Sequence, residues 1–429
     1  MKTERPRSNG LSPGYYGNRL VVAGFVTQFV SVAAQNYATG AFMMPMIEEF
    51  GWSRAQFILP RSLGQFVMAF AGFFIGTRVD RYGAKPFMLA GLVALSASLF
   101  ALSLITQWWQ WVLLNGVVLS IGAALIGNLV VNVTLSKWFV EMRGRAIAWA
   151  SMGVSFAGIA VTPPVTWCID QFGWRAGWQA MALATLVLTL PAALSMRRSP
   201  EDHGLYPDGK SLKDANAGGL ARARADFDGS LTRAQAMRTR AFYLLVLAFS
   251  LFQVLIPVVL LQSIPFMTDT GHSRASAAMA ILVASLPAML TKPVWGWLVD
   301  HMDPKPLAAC SAFISGVSVL LIVASINGPD VRFAYAAFAL LGIGWGGMIP
   351  LQEVIWALYF GRRHLGSVRS AALPFALIMG AGGPLAVAHY CDVVGHYDGA
   401  FVAVGLMSIV AAVLILALPK LEQQRPPYR

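Results

Sequence analysis

The sequence predicts an all-α membrane protein: twelve transmembrane helices in two six-helix pseudo-symmetric halves. Three observations carry this. First, of 429 residues 57% are hydrophobic and 12% charged, whereas a soluble globular chain is about half apolar and roughly a quarter charged. Second, the apolar residues come in runs about 20 long, enough to cross roughly 30 Å of hydrocarbon. Third, a short charged signature occurs twice, once in each half. Such hydrophobicity excludes disorder. The net charge of +12 is not a nucleic-acid footprint, because the basic residues lie between apolar runs and not on one solvated face.

The first half follows in order. Residues 1–19 are polar, with Pro6, Gly10 and Pro13 and no apolar stretch, so no cleavable signal peptide is expected. Helix α1 is expected over 20–44, α2 over 57–78, α3 over 86–106, α4 over 109–135, α5 over 145–167 and α6 over 176–196. Helix α1 carries Gln28, Ser31, Gln35 and Thr39 on one face, with Asn36 and Tyr37 beside them. Helix α2 holds Arg61 near one end. Helix α4 has Asn128, Asn132 and Ser136, and α5 has Gly153, Gly158, Pro163 and Pro164.

A polar, Arg- and Lys-rich stretch, 197–240, reads as a linker with a short surface helix near Leu231–Met237. It divides the chain into an N-terminal half, 1–196, and a C-terminal half, 241–429. The second half is expected to place α7 over 241–264, α8 over 276–299, α9 over 306–326, α10 over 332–358, α11 over 367–390 and α12 over 400–418. Helix α7 has Gln253 and Gln262, with Pro257 and Pro265 as bends. Helix α8 contains Lys292, and α10 puts Trp345, Gln352 and Trp356 on one face beside Glu353. Asn and Gln in a span need partners from other helices or from a bound molecule.

Orientation follows from the basic residues. Arg54, Arg175, Arg274 and Arg332 fall on one side, Arg61 and Lys292 within spans, and the remaining Lys and Arg on the side of the N-terminus and linker. The positive-inside rule makes that side cytoplasmic, with both termini inside a cytoplasmic (inner) membrane.

The repeated signature joins α2 to α3 as Gly76-Thr-Arg-Val-Asp80-Arg81-Tyr-Gly83-Ala-Lys85-Pro86. It joins α8 to α9 as Gly296-Trp-Leu-Val-Asp300-His301-Met-Asp303-Pro-Lys305-Pro306. Gly, Asp, Lys and Pro recur at one constant offset, as in an internally duplicated transporter. Here the chain resembles the major facilitator superfamily, whose loop signature is G-x-x-x-D-R-x-G-x-[RK]. The first copy matches well. The second has His301 and Asp303 for Arg and Gly. The resemblance implies a latch: Asp80 and Asp300 accept bonds from a neighbouring helix N-terminus, while Arg81 and Lys85 add charge-assisted bonds.

Three further segments are similar to the monocarboxylate transporter and oxalate:formate antiporter branch. They are Met44-Pro45 through Ala55, Ser136-Lys137-Trp138-Phe139 with Arg143-Gly144-Arg145-Ala146, and Tyr359-Phe360-Gly361-Arg362-Arg363. That branch has an Arg-Pro pair in α8 whose Arg holds the substrate carboxylate; the matching position here is Lys292-Pro293. A cation in a span costs about 3 kcal/mol or more, so Lys292 reads as an anion-binding residue or as a side chain snorkelling to the interface. A lysine lacks the fork that clamps a carboxylate. The branch's acid one turn earlier is Ala288 here, its Lys in α1 is missing, and Arg369 is expected at the rim of α11. Drug:proton antiporters carry a cavity Arg in α4, where Asn115 stands here.

The functional expectation is a secondary transporter of a small organic anion, working by alternating access and proton-coupled. An anion exchanger or a proton-driven exporter of an amphiphile is the alternative. Lys292, Gln28, Gln35, Asn36, Tyr37, Asn128, Asn132, Gln253, Trp345, Gln352 and Trp356 would line the substrate site. Arg61 would pair with Asp269 or Asp392 as an outer gate, or reach substrate; Glu353 would carry a proton or pair with an Arg of the opposite half. Partners would be the anion, protons and lipid, with no nucleic acid, and the unit a monomer. No cofactor or metal is implied: Cys168, Cys310 and Cys391 form no ligand pattern, the histidines no helical pair, and no phosphate-cradling loop is present. Catalysis finds no support.

Overall fold

The computed structural model describes residues 14–209, 227–326, 328 and 330–419. Parts of the expected N-terminal tail and linker therefore lie outside the described residues. The described chain is helical, and no strand occurs in it. Helix α1 spans Tyr16–Phe50, α2 Arg54–Tyr82, α3 Ala84–Leu102, α4 Trp108–Trp138, α7 Arg240–Asp269 and α8 Arg274–His301. Then α9 spans Pro304–Ile326, α10 Val331–Phe360, α11 Leu365–Val394 and α12 Asp398–Leu416.

The run Arg143–Ser195 holds 53 residues, about 80 Å as one straight helix, far beyond a bilayer core. At Gly173 the backbone leaves helical geometry, with φ 83° and ψ 163°, a region that suits glycine. The run is therefore two spans, α5 before Gly173 and α6 after it, and the described residues hold twelve spans. Most observed helices overshoot the expected bounds because polar residues close their ends. Ser53 and Gln56 form a capping box at α2, Thr239 caps α7 and Ser273 caps α8. The expected surface helix of the linker appears as Arg233–Ala236, capped by Thr232 and Gln235.

Both ends and the linker meet on one face. Tyr15 donates its hydroxyl to the Trp138 carbonyl at 2.9 Å, and Tyr16 to that of Ser195 at 2.7 Å. Lys305 reaches the Leu418 carbonyl at 2.6 Å. The linker grips α4–α5 through Asp208, whose carboxylate accepts the amides of Val140, Glu141 and Met142 at 3.0–3.2 Å. Burial pushes this carboxyl above its ordinary range, and the amide donors pull it back.

Close crossings join the halves on this same linker face. Helix α2 meets α11 at Gly76, where a Cβ would lie 2.5 Å from Ser370 Cβ. Helix α8 meets α5 at Gly296, where a Cβ would lie 2.5 Å from Ala148 Cβ and 2.6 Å from the Gly144 carbonyl. The two glycines are the equivalent positions of the repeated signature. Small residues let helix backbones approach where lipid supplies no hydrophobic drive.

The α2–α3 junction needs Gly83, at φ 80°. The α8–α9 junction does not: Met302 is extended (φ −120°, ψ 169°), and Asp303 caps the amide of Lys305 at 3.0 Å. That is why the second copy of the signature tolerates Asp where the first has Gly.

Gly296→Val should push α5 and α8 apart at an overpacking cost of about 1–3 kcal/mol. Spin labels at exposed Arg81 and Met302, in a chain without its native cysteines, should then show a longer-distance population several-fold larger. An unchanged distance distribution would contradict the crossing.

Candidate functional site

The site is built on the linker-face latch. At the end of α2, Asp80 accepts the Gly366 amide at 3.2 Å, the Ser367 amide at 2.7 Å and the Ser367 hydroxyl at 2.8 Å. At the end of α8, Asp300 accepts the Gly144 amide at 2.7 Å, the Arg145 amide at 3.1 Å and Arg145 Nε at 3.0 Å. Each carboxylate thus caps the N-terminus of a helix in the other half, α11 or α5. Charge there meets orphan amides and the positive helix end. The expected support from Arg81 and Lys85 needs correction. Both are exposed, and Arg81 lies over the Tyr82 ring at 5.2 Å. Lys137 takes their place, its Nζ 3.0 Å from Asp80. Arg362 adds a further tie, donating to the Lys137 carbonyl at 2.8 Å and to Glu201 at 2.5 Å.

Glu353 and Arg369 form a fork-to-fork pair between α10 and α11, at 2.7 and 3.1 Å. Only 5% of Glu353 and 7% of Arg369 is exposed, and the guanidinium lies 5.2 Å above the Trp356 ring. Arg369 is therefore a buried partner and not a rim residue, and the pair lies within one half, not across the two. It stands two residues beyond Ser367, which Asp80 holds.

Lys292 is buried where α8 crosses α5. Its Nζ donates to the Ser151 carbonyl at 2.9 Å and the Ser155 hydroxyl at 2.7 Å. It neither snorkels nor stands free in a cavity: it clasps the opposite half through neutral acceptors. Arg61 is the second cation that the sequence places within a span. It does not meet Asp269 or Asp392; its Nη2 donates to Asn36 Oδ1 at 3.1 Å. Among the described residues no carboxylate lies within ion-pair distance of Lys292 or Arg61.

The amide stripe divides in two. Gln28 and Asn132 are buried and bond each other at 3.1 Å, so they join α1 to α4 and do not line a cavity. Trp356 is likewise buried in the core. Gln35, Asn36, Tyr37, Gln253, Trp345 and Gln352 stay half-buried, and Asn128 is exposed where α4 restarts after Gly127. Gln35 turns to Met68 Sδ at 2.8 Å. Sequence reasoning missed Lys137, Ser151 and Ser155. A hydroxyl or an interfacial lysine carries no periodic signal, and its role depends on which helix packs beside it.

Two related six-helix halves, tied at one face by reciprocal carboxylate caps, define a multi-pass membrane carrier. The Major Facilitator Superfamily profile matches residues 24–266 and 243–428. The chain belongs to that superfamily and is one of its transporters. It is 23% identical over 398 residues to the gentisate transporter of Corynebacterium glutamicum, covering 90% of this chain and 84% of that one. It is 25% identical over 355 residues to mouse monocarboxylate transporter 11, covering 79% and 73%. Among solved structures, the proton:xylose symporter XylE superposes with a TM-score of 0.77 at 12% identity over 96% of this chain and 99% of that chain. The fucose:proton symporter FucP of E. coli gives 0.66 at 15% identity, over 93% and 98%.

Removing one partner of a buried ion pair costs about 3–5 kcal/mol, because the other charge stays buried alone. Glu353→Ala and Arg369→Ala should each lower the Tm of the purified protein markedly. The double variant should recover much of that loss. Additive losses would show that the two side chains act independently.

Proposed function

We propose that this protein is a secondary transporter of a small organic anion, a carboxylate, moved by alternating access with a proton. The observation that carries this reading is Lys292: a cation buried in a span, joining the halves through neutral acceptors alone. An unpaired cation there costs about 3 kcal/mol or more, and an anionic substrate would supply the missing charge. An anion drawn to Nζ competes with the Ser151 carbonyl and Ser155 hydroxyl, so its arrival loosens the α5–α8 contact. Relatives named for gentisate and for monocarboxylates support a carboxylate.

Coupling falls to Glu353. A proton on this carboxylate dissolves its pair with Arg369, on the same first turns of α11 whose amides Asp80 caps. Proton binding and anion binding then weaken the two crossings that close the linker face. The halves at 1–196 and 241–429 rock about the linker at 197–240, as a monomer in a cytoplasmic membrane. The excess of Lys and Arg on the linker face makes that face, and both termini, cytoplasmic. Exchange is the second reading, favoured by one observation: Glu353 is already neutralised by Arg369.

The test is uptake in proteoliposomes of labelled aliphatic and aromatic mono- and dicarboxylates, with and without an inward proton gradient. Gradient-stimulated uptake should fall at least roughly tenfold in Lys292→Ala, the loss of one charge-assisted interaction. Glu353→Gln should abolish the gradient response while counterflow persists. Counterflow without any gradient response in the wild type would establish exchange. Carboxylate uptake indifferent to Lys292 would overturn the site.

A further inference from the structure

The closed face leaves Lys292 covered, so an anion arriving from the opposite face needs an earlier site. Arg61 lies about two turns into α2 from that opposite face. It borders a small polar cavity lined by Gln35, Gln65, Asn115, Leu119 and Ser120. Asn36 holds its guanidinium at 3.1 Å. Every named neighbour is neutral. The cavity has room for a water-sized group, enough to take one carboxylate oxygen while the rest of the anion stays outside.

Three independent features build this cavity. First, the described residues contain two π-helical segments, Ala33–Tyr37 in α1 and Val112–Leu119 in α4. Both wall it: Gln35 lines it from one, next to the Asn36 that bonds Arg61, and Asn115 and Leu119 line it from the other. Such segments are rare and frequent at functional sites. Second, Asn115 is 5% exposed, and its Nδ2 is a buried donor without a hydrogen-bond partner. An orphaned buried donor costs about 1–3 kcal/mol unless something accepts from it.

Third, α2 is fixed against α4. Pro60 has no amide to give the Gln56 carbonyl, and Trp108 Nε1 takes that carbonyl at 3.0 Å. Trp111 Nε1 takes the Phe57 carbonyl at 3.1 Å. Gly64 then passes so close that a Cβ would collide with Ser120 Oγ. Arg61 is thus positioned by packed surroundings in which no described residue supplies a counter-charge, beside a donor awaiting an acceptor.

We infer that the Arg61 cavity is a carboxylate-head site, the first docking point for the transported anion on the face opposite the linker. The inference rests on the organic-anion reading and assigns it a second, outer site. The guanidinium fork fits a carboxylate as an ammonium cannot, and Asn115 Nδ2 supplies a further donor. Lys292, covered on the closed face, is not needed for this first step. It is needed for passage.

The experiment is calorimetric binding of acetate, lactate, benzoate and gentisate, each beside its neutral amide, to the full-length protein in nanodiscs. Arg61→Gln should weaken carboxylate binding roughly tenfold to a hundredfold. Asn115→Leu should weaken it in the same direction. Arg61→Lys should retain part of it. Arg61→Gln should leave the Tm of the purified protein close to wild type while carboxylate binding falls, a split that a merely structural role for Arg61 would not produce. Carboxylate binding that survives in Arg61→Gln and Asn115→Leu overturns the site and leaves the anion reading standing. So does wild-type binding of the amides as tight as that of the acids. If Arg61→Gln does not fold, unchanged affinity in Arg61→Lys and Asn115→Leu overturns the site equally. If none of the four acids binds or is transported, the anion reading and the site fall together.

Discussion

Two carboxylates hold this molecule in its present shape. Asp80 and Asp300 each sit at the end of one helix and accept hydrogen bonds from the first amides of a helix in the opposite half. A helix N-terminus in a water-poor setting carries amides with no internal partner, and a carboxylate satisfies two of them at once. Because each cap crosses between halves, both tie the linker face together. The helices can come this near only because Gly76 and Gly296 lack side chains. Cap and glycine belong to one signature, four residues apart, so a single helical turn sets both the crossing and its lock.

The cations sort by what faces them. Lys137, Arg145 and Arg369 each meet a carboxylate. They neutralise charge that the fold itself has buried. Lys292 and Arg61 meet only neutral groups. In a protein interior a charge without a counter-charge is expensive, and inside a bilayer more so. The two sites occupy different levels. Arg61 lies toward the face opposite the linker, within one half. Lys292 lies at the contact between halves, toward the closed face. An anion passing from the first to the second would move from a site that recognises it to a contact that its charge disturbs.

The repeated signature was readable in the sequence because its residues are few, local and duplicated at a fixed spacing. Its partners were not. Nothing near Asp80 in sequence marks Gly366, Ser367 or Lys137, which reach it from the other half and from the end of α4. Arg81 and Lys85 looked like its natural support because they are its neighbours in sequence, yet helical geometry turns them outward. The same holds for Glu353 and Arg369. Each stood out as an ionisable group near a span, and only the packing of α10 on α11 makes them one neutral pair. Gln28 and Asn132 fit the periodic pattern of cavity-lining residues but spend their amides on each other.

Sequence alone determined that the chain crosses the membrane in two related sets of six helices, and which few ionisable residues lie inside the spans. Hydrophobic run length, charge distribution and a duplicated motif are local properties, and lipid leaves the backbone little choice but helix. Tertiary structure decided the rest. It settled which cations are answered by a carboxylate, which amides are structural, and which face is closed. It also shows the π-helical turns that set Arg61 and Asn115 around one small space. These depend on distances between helices remote in sequence, where a displacement of an ångström or two decides whether a donor finds its acceptor.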